Sequence, residues 1–365
     1  MTTGTASPRH VRVPKPSTHV RPPTEFSSLL KVVIEAGLLH RRYTYYAAKI
    51  ALTLGVLGGL GVIFGLLGDS WYQLLVAAAL AIVLTHLAFL SHDAAHRQIF
   101  VSGKANDRAA VILANLGVGI SVAWWTKKHT KHHAAPNQIG RDTDIDFAVL
   151  HFYPPEKVSS NPVISWMRAR QGWWFFPILT VEGLNLHFQA FVALLGREPI
   201  KNRWTELSLV LLRLGGYIAA LFLVLSPGKA VAFLAIQLAV FGVYMGCSFA
   251  PNHKGMPVLP PEAKLDFLRR QVLMSRNIVG TRFNTFMMGG LNFQIEHHLF
   301  PSMPRPNLRR AQALVRPFCQ AQGVAYTETT LRHSYRIVIS YLNKVGLGAR
   351  DPFQCPLVAA ARPRG

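Results

Sequence analysis

Four stretches of this chain, residues 50–67, 71–90, 207–226 and 230–250, are almost wholly apolar over the width of a lipid bilayer. A hydrocarbon core about 30 Å thick needs about 20 apolar residues to cross it as a helix. Backbone amides in lipid find no water, so each stretch has to close its hydrogen bonds internally. That constraint excludes most soluble folds and predicts an all-α membrane protein. Short turns at Gly68-Asp69-Ser70 and Pro227-Gly228-Lys229 join the four runs into two hairpins. Both hairpins then begin and end on one side of the membrane. Arg213 interrupts the third run and has to snorkel or find a partner. Gly55, Gly59, Gly61 and Gly65 predict a face of the first run that another helix approaches closely.

Charge supplies the orientation. Lys and Arg outnumber Asp and Glu 39 to 17. Nearly all the basic residues lie outside the apolar runs, and one, Lys229, falls in the outer turns. This is the positive-inside pattern of a cytoplasmic membrane face, not the footprint of a nucleic-acid binder. The same field attracts an anionic substrate headgroup or an acidic protein partner. Residues 1–26 read as a disordered cytoplasmic tail without the apolar core of a signal peptide. The basic segment 331–365 reads as a C-terminal tail, with an apolar run at 337–342 that packs beneath the rest. Cys247, Cys319 and Cys355 are scattered, which argues against a disulfide framework or a thiolate zinc site.

Histidines cluster beside the predicted membrane ends. His92 and His96 follow the second run at i, i+4, one turn apart on one helix face. His129, His132 and His133 share a second face, and His297 with His298 follows Gln294 near the end. His253 closes the fourth run with Asn252 before it. Eight imidazoles are too many for one metal ion and natural for two. They share a site only if residues 109–125, an uncharged run containing Asn115, Gly117, Gly119 and Ser121, do not cross the membrane. That segment is expected to be re-entrant or interfacial. Residues 172–195, with Glu182, Asn185 and His187 among aromatics, are expected to form an amphipathic interfacial helix. His187 is a possible ligand or orienting residue, although a lone histidine is more often structural. His86 reads as a polar residue packed between helices, and Asp142, Asp144 and Asp146 as a solvated acidic turn.

H-D-A-A-H at 92–96, H-T-K-H-H at 129–133 and Q-I-E-H-H at 294–298 resemble, in order, type and spacing, the three histidine boxes of the membrane-bound fatty acid desaturases. The Gln of the third box is similar to that of front-end desaturases and bacterial relatives. The resemblance implies a desaturase domain over 27–330, with four spans and a cytosolic helical cap holding a di-iron site. It implies iron ligation by the seven box histidines, and His253 looks similar to a further ligand after the last span. Animal relatives place a water-holding Asn four residues before that histidine; here the position is Phe249, which leaves the role of Asn252 open. Gln294 binds through water or shapes the site. Asp93 and Glu296 are expected to orient imidazoles, as metal-bound histidines need such partners. The implied reaction introduces a cis double bond into a fatty acyl chain carried by coenzyme A, a lipid or a carrier protein, with O2 as co-substrate. No H-P-G-G haem motif occurs in this sequence, so a ferredoxin or flavoprotein reductase is expected to supply electrons. The expected location is a bacterial cell membrane. The nearest rival is a di-iron hydroxylase of alkanes, sterols, sphingolipids or carotenoids; a zinc protease built on His92 and His96, or a lipid-binding protein without metal, accounts for fewer of the histidines.

Overall fold

The computed structural model describes residues 24–146, 149–154 and 160–348, and the chain is helical almost throughout. Helix α1 (Glu25–Glu35) is capped by Thr24, whose hydroxyl accepts from the Ser27 amide. Helices α2 (Tyr43–Leu67) and α3 (Gln73–Ala95) form the first hairpin. After α4 (Gly103–Val111) the helix widens into a π turn, Ile112–Val118, and breaks at Gly119 before α5 (Val122–Ala134). Helices α6 (Pro162–Ala169) and α7 (Gln171–Leu195) lead to the second hairpin, α8 (Arg203–Val224) and α9 (Pro227–His253). The last third holds four short or medium helices, α10 (Phe267–Leu273), α11 (Arg282–Met287), α12 (Gln294–Leu299) and α13 (Leu308–Ala321), followed by α14 (Leu331–Gly346). Its two strands, β1 (Asn277–Val279) and β2 (Glu328–Thr330), pair in parallel with Asn277 opposite Glu328.

Among the described residues five helices, α2, α3, α7, α8 and α9, are long and apolar enough to cross a membrane. The four expected runs fall on four of them, with residues 71–72 and 225–226 just outside the ends of α3 and α8. The fifth, α7, was expected at the interface, and its window has the lowest mean hydropathy of the set, 1.5. Both ends of α7 are tied to elements near the histidines. Gln171 donates to the Leu342 carbonyl of α14, and Lys127 of α5 pairs with Glu198 just beyond the helix. The segment 109–125 is not one straight helix, because the chain turns by 114° between the π turn and α5. Gly119 makes the turn with a left-handed φ of 94°, a conformation that a Cβ would strain.

Glycine governs packing elsewhere than the sequence suggests. Gly55, Gly59, Gly61 and Gly65 face open space, with nothing within 4 Å of a Cβ built on them. No residue in the apolar window of α2 is fully buried, and the helix packs on the bundle through Leu57, Leu60 and Phe64, not through these glycines. The close approach is between α7 and α9. A Cβ on Gly183 would lie 2.3 Å from the Leu238 carbonyl oxygen, and one on Gly242 would lie 2.3 Å from that of Leu179. Two backbones therefore touch, the contact that small residues allow in membranes. Arg213 finds its partner in the Gly117 carbonyl, which its Nε meets at 3.0 Å.

Two apolar cores flank the histidines. One fills the bundle, with Leu84, Leu87, Val118, Val122 and Phe241. The other fills the cap, joining Leu29 and Val33 of α1 to Leu268, Ile295, Leu299, Ala311 and Val315. Helix α14 buries Val338, Tyr341, Leu342 and Val345 against Phe175, Leu179 and Ala250. The segment read from 331 onward as a tail is thus part of the folded body to Gly346, because its apolar face has a partner in α7. At the other end, Thr24–Phe26 belong to α1 and its cap; the rest of the two expected tails, 1–23 and 349–365, lies outside the described residues.

Replacing Gly242 by Val is expected to destabilise the protein by about 1–3 kcal/mol or more, since backbone cannot yield as a side chain does. Gly59→Val is expected to stay within about 0.5 kcal/mol. Thermal melting in detergent compares the two.

Candidate metal centre

Each histidine cluster has its own local support. Ser121 caps α5 by accepting from the Trp124 amide, and its hydroxyl donates to Glu206 of α8 at 2.5 Å. Glu206 also accepts from the Ala123 amide, so α8 fixes the start of the helix that carries His129, His132 and His133. The 114° turn then lays α5 against the end of α3. His96 and His129 meet with their Nε2 atoms 2.9 Å apart, and His133 Nε2 lies 3.0 Å from that of His129. Helix α12 is held by Asn277, whose Oδ1 accepts from the Ile295 amide at 2.9 Å.

The eight imidazoles form two adjoining groups. His92, His96, His129 and His297 bring one nitrogen each within 4.8 Å of one another, and so do His132, His253 and His298. His133 lies between them: its ring stacks on His298 at 4.2 Å and meets His297 at 4.8 Å. Gln294 places its amide nitrogen 2.9 Å from His253 Nε2.

Hydrogen bonds at the far side of three rings decide which nitrogen faces the centre. His132 Nδ1 donates to the Asp142 carboxylate at 2.9 Å. His253 Nδ1 donates to the Met274 carbonyl at 3.0 Å, and His298 Nδ1 to Gln271 Oε1 at 2.9 Å. Each partner is an acceptor oxygen, so the proton sits on Nδ1 and the Nε2 lone pair points inward. Inward-facing nitrogens of His92, His297 and His298 are buried without any hydrogen-bond partner. Such orphaned acceptors are costly unless something binds them. Burial, then the neighbouring imidazoles, holds His297 and His298 well below the usual imidazole range. They are neutral at neutral pH, the state in which imidazole ligates metal. Convergent, neutral, unpartnered nitrogen donors fit two metal ions of borderline softness.

Several expectations change here. Asp142 is not solvated; it is fully buried, held by the Asn137 amide at 2.7 Å, and is the carboxylate that orients His132. Asp144 lies 3.5 Å from the same ring and pairs with Lys128, while Asp146 is exposed. Glu296 orients no imidazole. Its carboxylate accepts from Tyr326 and Asn277, and burial pushes it up to about 7. Asp93 pairs with Arg305 at 2.7 Å and stands 3.6 Å from His92 Nδ1, beyond a hydrogen bond. His187 takes no part; its Nδ1 donates to the Gly119 carbonyl and braces the turn before α5. His86 is the inter-helix residue expected, meeting the Tyr244 hydroxyl at 3.2 Å. Asn252 donates to the Ser248 carbonyl, and its Oδ1 is buried without a partner. Gln271, Asn277 and Trp125, whose indole stacks on His129 at 4.3 Å, carried no signal in the sequence. The D-x-D after the second cluster did carry one for Asp142.

An apolar cavity of about 60 Å³ opens beside His92 between α3, the π turn, α5, α7 and α9. Ala88, Val118, Val122, Trp125 and Phe249 line it.

The family model described as fatty acid desaturase matches residues 69–330. The chain is 26% identical over 336 residues to the acyl-lipid (9-3)-desaturase of Physcomitrium patens, covering 90% of this chain and 63% of that protein. It is 26% identical over 355 residues to the Delta(8)-fatty-acid desaturase of Helianthus annuus, covering 90% and 74%. The Delta(6)-fatty-acid desaturase of Caenorhabditis elegans shows 28% identity over 314 residues, covering 82% and 70%. The chain thus spans 63–74% of these relatives' lengths, less than two thirds in the case of the Physcomitrium patens protein.

Orienting partners of metal-bound imidazoles are worth about 10- to 100-fold in metal affinity. Asp142→Ala is therefore expected to lower metal affinity by about that factor, and Asp146→Ala to leave it unchanged. Metal per chain, measured by plasma mass spectrometry after dialysis, distinguishes the outcomes.

Proposed function

The chain belongs to the fatty acid desaturase family, and from that membership we propose that it inserts a cis double bond into a fatty acyl chain, using dioxygen and externally supplied electrons. The observation that carries the reading is the pair of adjoining all-imidazole groups at the end of an apolar cavity. Two iron ions held by His92, His96, His129, His132, His133, His253, His297 and His298 would supply the oxygen-activating redox chemistry. The rest is the work of the protein. Asp142, Gln271 and the Met274 carbonyl hold Nδ1 protons and aim Nε2 lone pairs. Gln294 shapes the inner face beside His253. Trp125 and Phe249 keep the space beside His92 dry and fix the depth at which a methylene pair stops. In the overall reaction two neighbouring methylenes lose one hydrogen each, a donor protein supplies two electrons, two protons are taken up, and dioxygen leaves as two waters.

In this proposal α2, α3, α8 and α9 span the membrane, α7 lies at its surface, and the histidines face the cytoplasm. The excess of Lys and Arg outside the apolar helices supports that orientation. Exposed Lys127, Lys131 and Arg141 around the second histidine helix suit an acidic electron donor such as a ferredoxin or a flavoprotein reductase. They suit equally the anionic carrier of an acyl group, whether coenzyme A, a lipid or a carrier protein. The relatives named above are eukaryotic and lend no support to a bacterial membrane.

Expression in a host of known lipid composition is expected to yield a new double bond, located by mass spectrometry of the fatty acids. His132→Ala and His298→Ala are each expected to reduce it to background at equal protein level. A new alcohol in place of the alkene would establish a hydroxylase and overturn the proposal. A cysteine at Lys131 is expected to react with an impermeant maleimide only after the cells are opened; labelling of intact cells would refute the orientation.

A further inference from the structure

A second and larger cavity, of about 650 Å³, lies between α2, α3, α11 and the start of α13. It is not the cavity that reaches the metal centre. Ile82, Val83, His86 and Leu90 line it from one face of α3, whereas Ala88, Ser91 and His92 line the smaller cavity from the opposite face. Its chemistry is graded along α2. Lys49, Arg282, Arg305 and Arg309 stand around it with Tyr45. Leu52 and Val56 follow Lys49 at i+3 and i+7 on the same face of α2, so the wall becomes apolar with depth. Ile82 and Val83 complete that apolar wall from α3.

The charge is unbalanced. Among the described residues Lys49, Arg282 and Arg309 form no ion pair, and the only carboxylate engaged is Asp93, taken by Arg305 at 2.7 Å. The Arg305 side chain is 9% exposed, yet its Nε is buried without a hydrogen-bond partner. Clustered cations beside a bilayer repel one another until an anion joins them. A doubly oxygenated anion offers the charge-assisted bonds that an Arg fork is built to make. A ligand satisfying both halves of the cavity has an anionic, oxygen-rich head and hydrocarbon tails.

We propose that this cavity is a binding site for an anionic phospholipid of the surrounding bilayer, separate from the acyl substrate. The phosphate lies among Lys49, Arg282, Arg305 and Arg309, and an acyl tail follows Leu52, Val56, Ile82 and Val83 into the membrane. Helix α3 separates the lipid from the metal centre. Arg305 touches both surroundings, through Asp93 beside His92.

The purified, metal-loaded protein tests this without an activity assay. Native mass spectrometry in detergent, with added dioleoylphosphatidylglycerol, is expected to show a retained lipid. Dioleoylglycerol, which has the tails without the phosphate, is expected not to be retained. Lys49→Gln and Arg309→Gln are each expected to weaken retention about tenfold, the loss of one charge-assisted bond. Metal content and melting temperature are expected to match the parent, and Arg309→Lys is expected to restore part of the binding. Equal retention of the two lipids overturns the proposal, as does undiminished retention in the double variant. Inorganic phosphate at millimolar concentration displaces nothing if the tails contribute; displacement of the lipid by phosphate alone would also overturn it.

Discussion

The arrangement depends on hydrogen bonds made at the outer nitrogens of the imidazoles. Eight histidines brought together by hydrophobic burial would titrate, flip and repel. Three of them are instead pinned at Nδ1 by Asp142, the Met274 carbonyl and Gln271. The pins come from two separate parts of the chain: Asp142 from the loop after α5, and Gln271 and the Met274 carbonyl from α10 and its end. The elements after α9 therefore pack beside the histidines and, together with the loop after α5, set the tautomers of the second imidazole group. Metal affinity and cap folding are linked by the same few contacts, since a site that exists only in the folded chain contributes its binding energy to folding.

That linkage explains the layering. The histidines lie between an apolar core in the bundle and another in the cap. Burial on both sides holds His297 and His298 well below the usual imidazole range, whereas Asp142 and Asp144 raise His132 against its burial. The carboxylates that remain are paired: Asp142 with His132, Asp93 with Arg305, and Asp144 with Lys128. Glu296 is the exception in kind, buried against Tyr326 and Asn277 and raised toward neutrality, so it braces α12 without adding a full charge.

Backbone breaks place the parts. A continuous helix through residues 103–134 would carry the second histidine cluster away from the first. The π turn and Gly119 bend it by 114°, and His187 and Arg213 satisfy carbonyls that the break exposes, those of Gly119 and Gly117. Irregular backbone at membrane depth is tolerated only where protein buries it, and here α3, α7 and α8 do so. His187, which in the sequence is a possible ligand but as a lone histidine more often structural, is one means of that burial.

Hydropathy alone determined the membrane class and four of the long helices, because lipid leaves the backbone no alternative to a helix. Histidine spacing singled out seven of the imidazoles, because helical period puts i, i+3 and i+4 on one face, and His253 stood out by its place at the end of the fourth apolar run. What needed the tertiary structure was every contact between residues far apart in sequence. Asp142 reads as one of three solvated acids until Asn137 and His132 are seen to bury it. Gln271 and Asn277 are ordinary amides until α12 packs on them. The glycines of α2 match a packing motif as well as Gly183 and Gly242 do, yet only the latter pair meets another backbone. Local pattern reports which face a residue shares with its neighbours; what that face meets is decided by the fold.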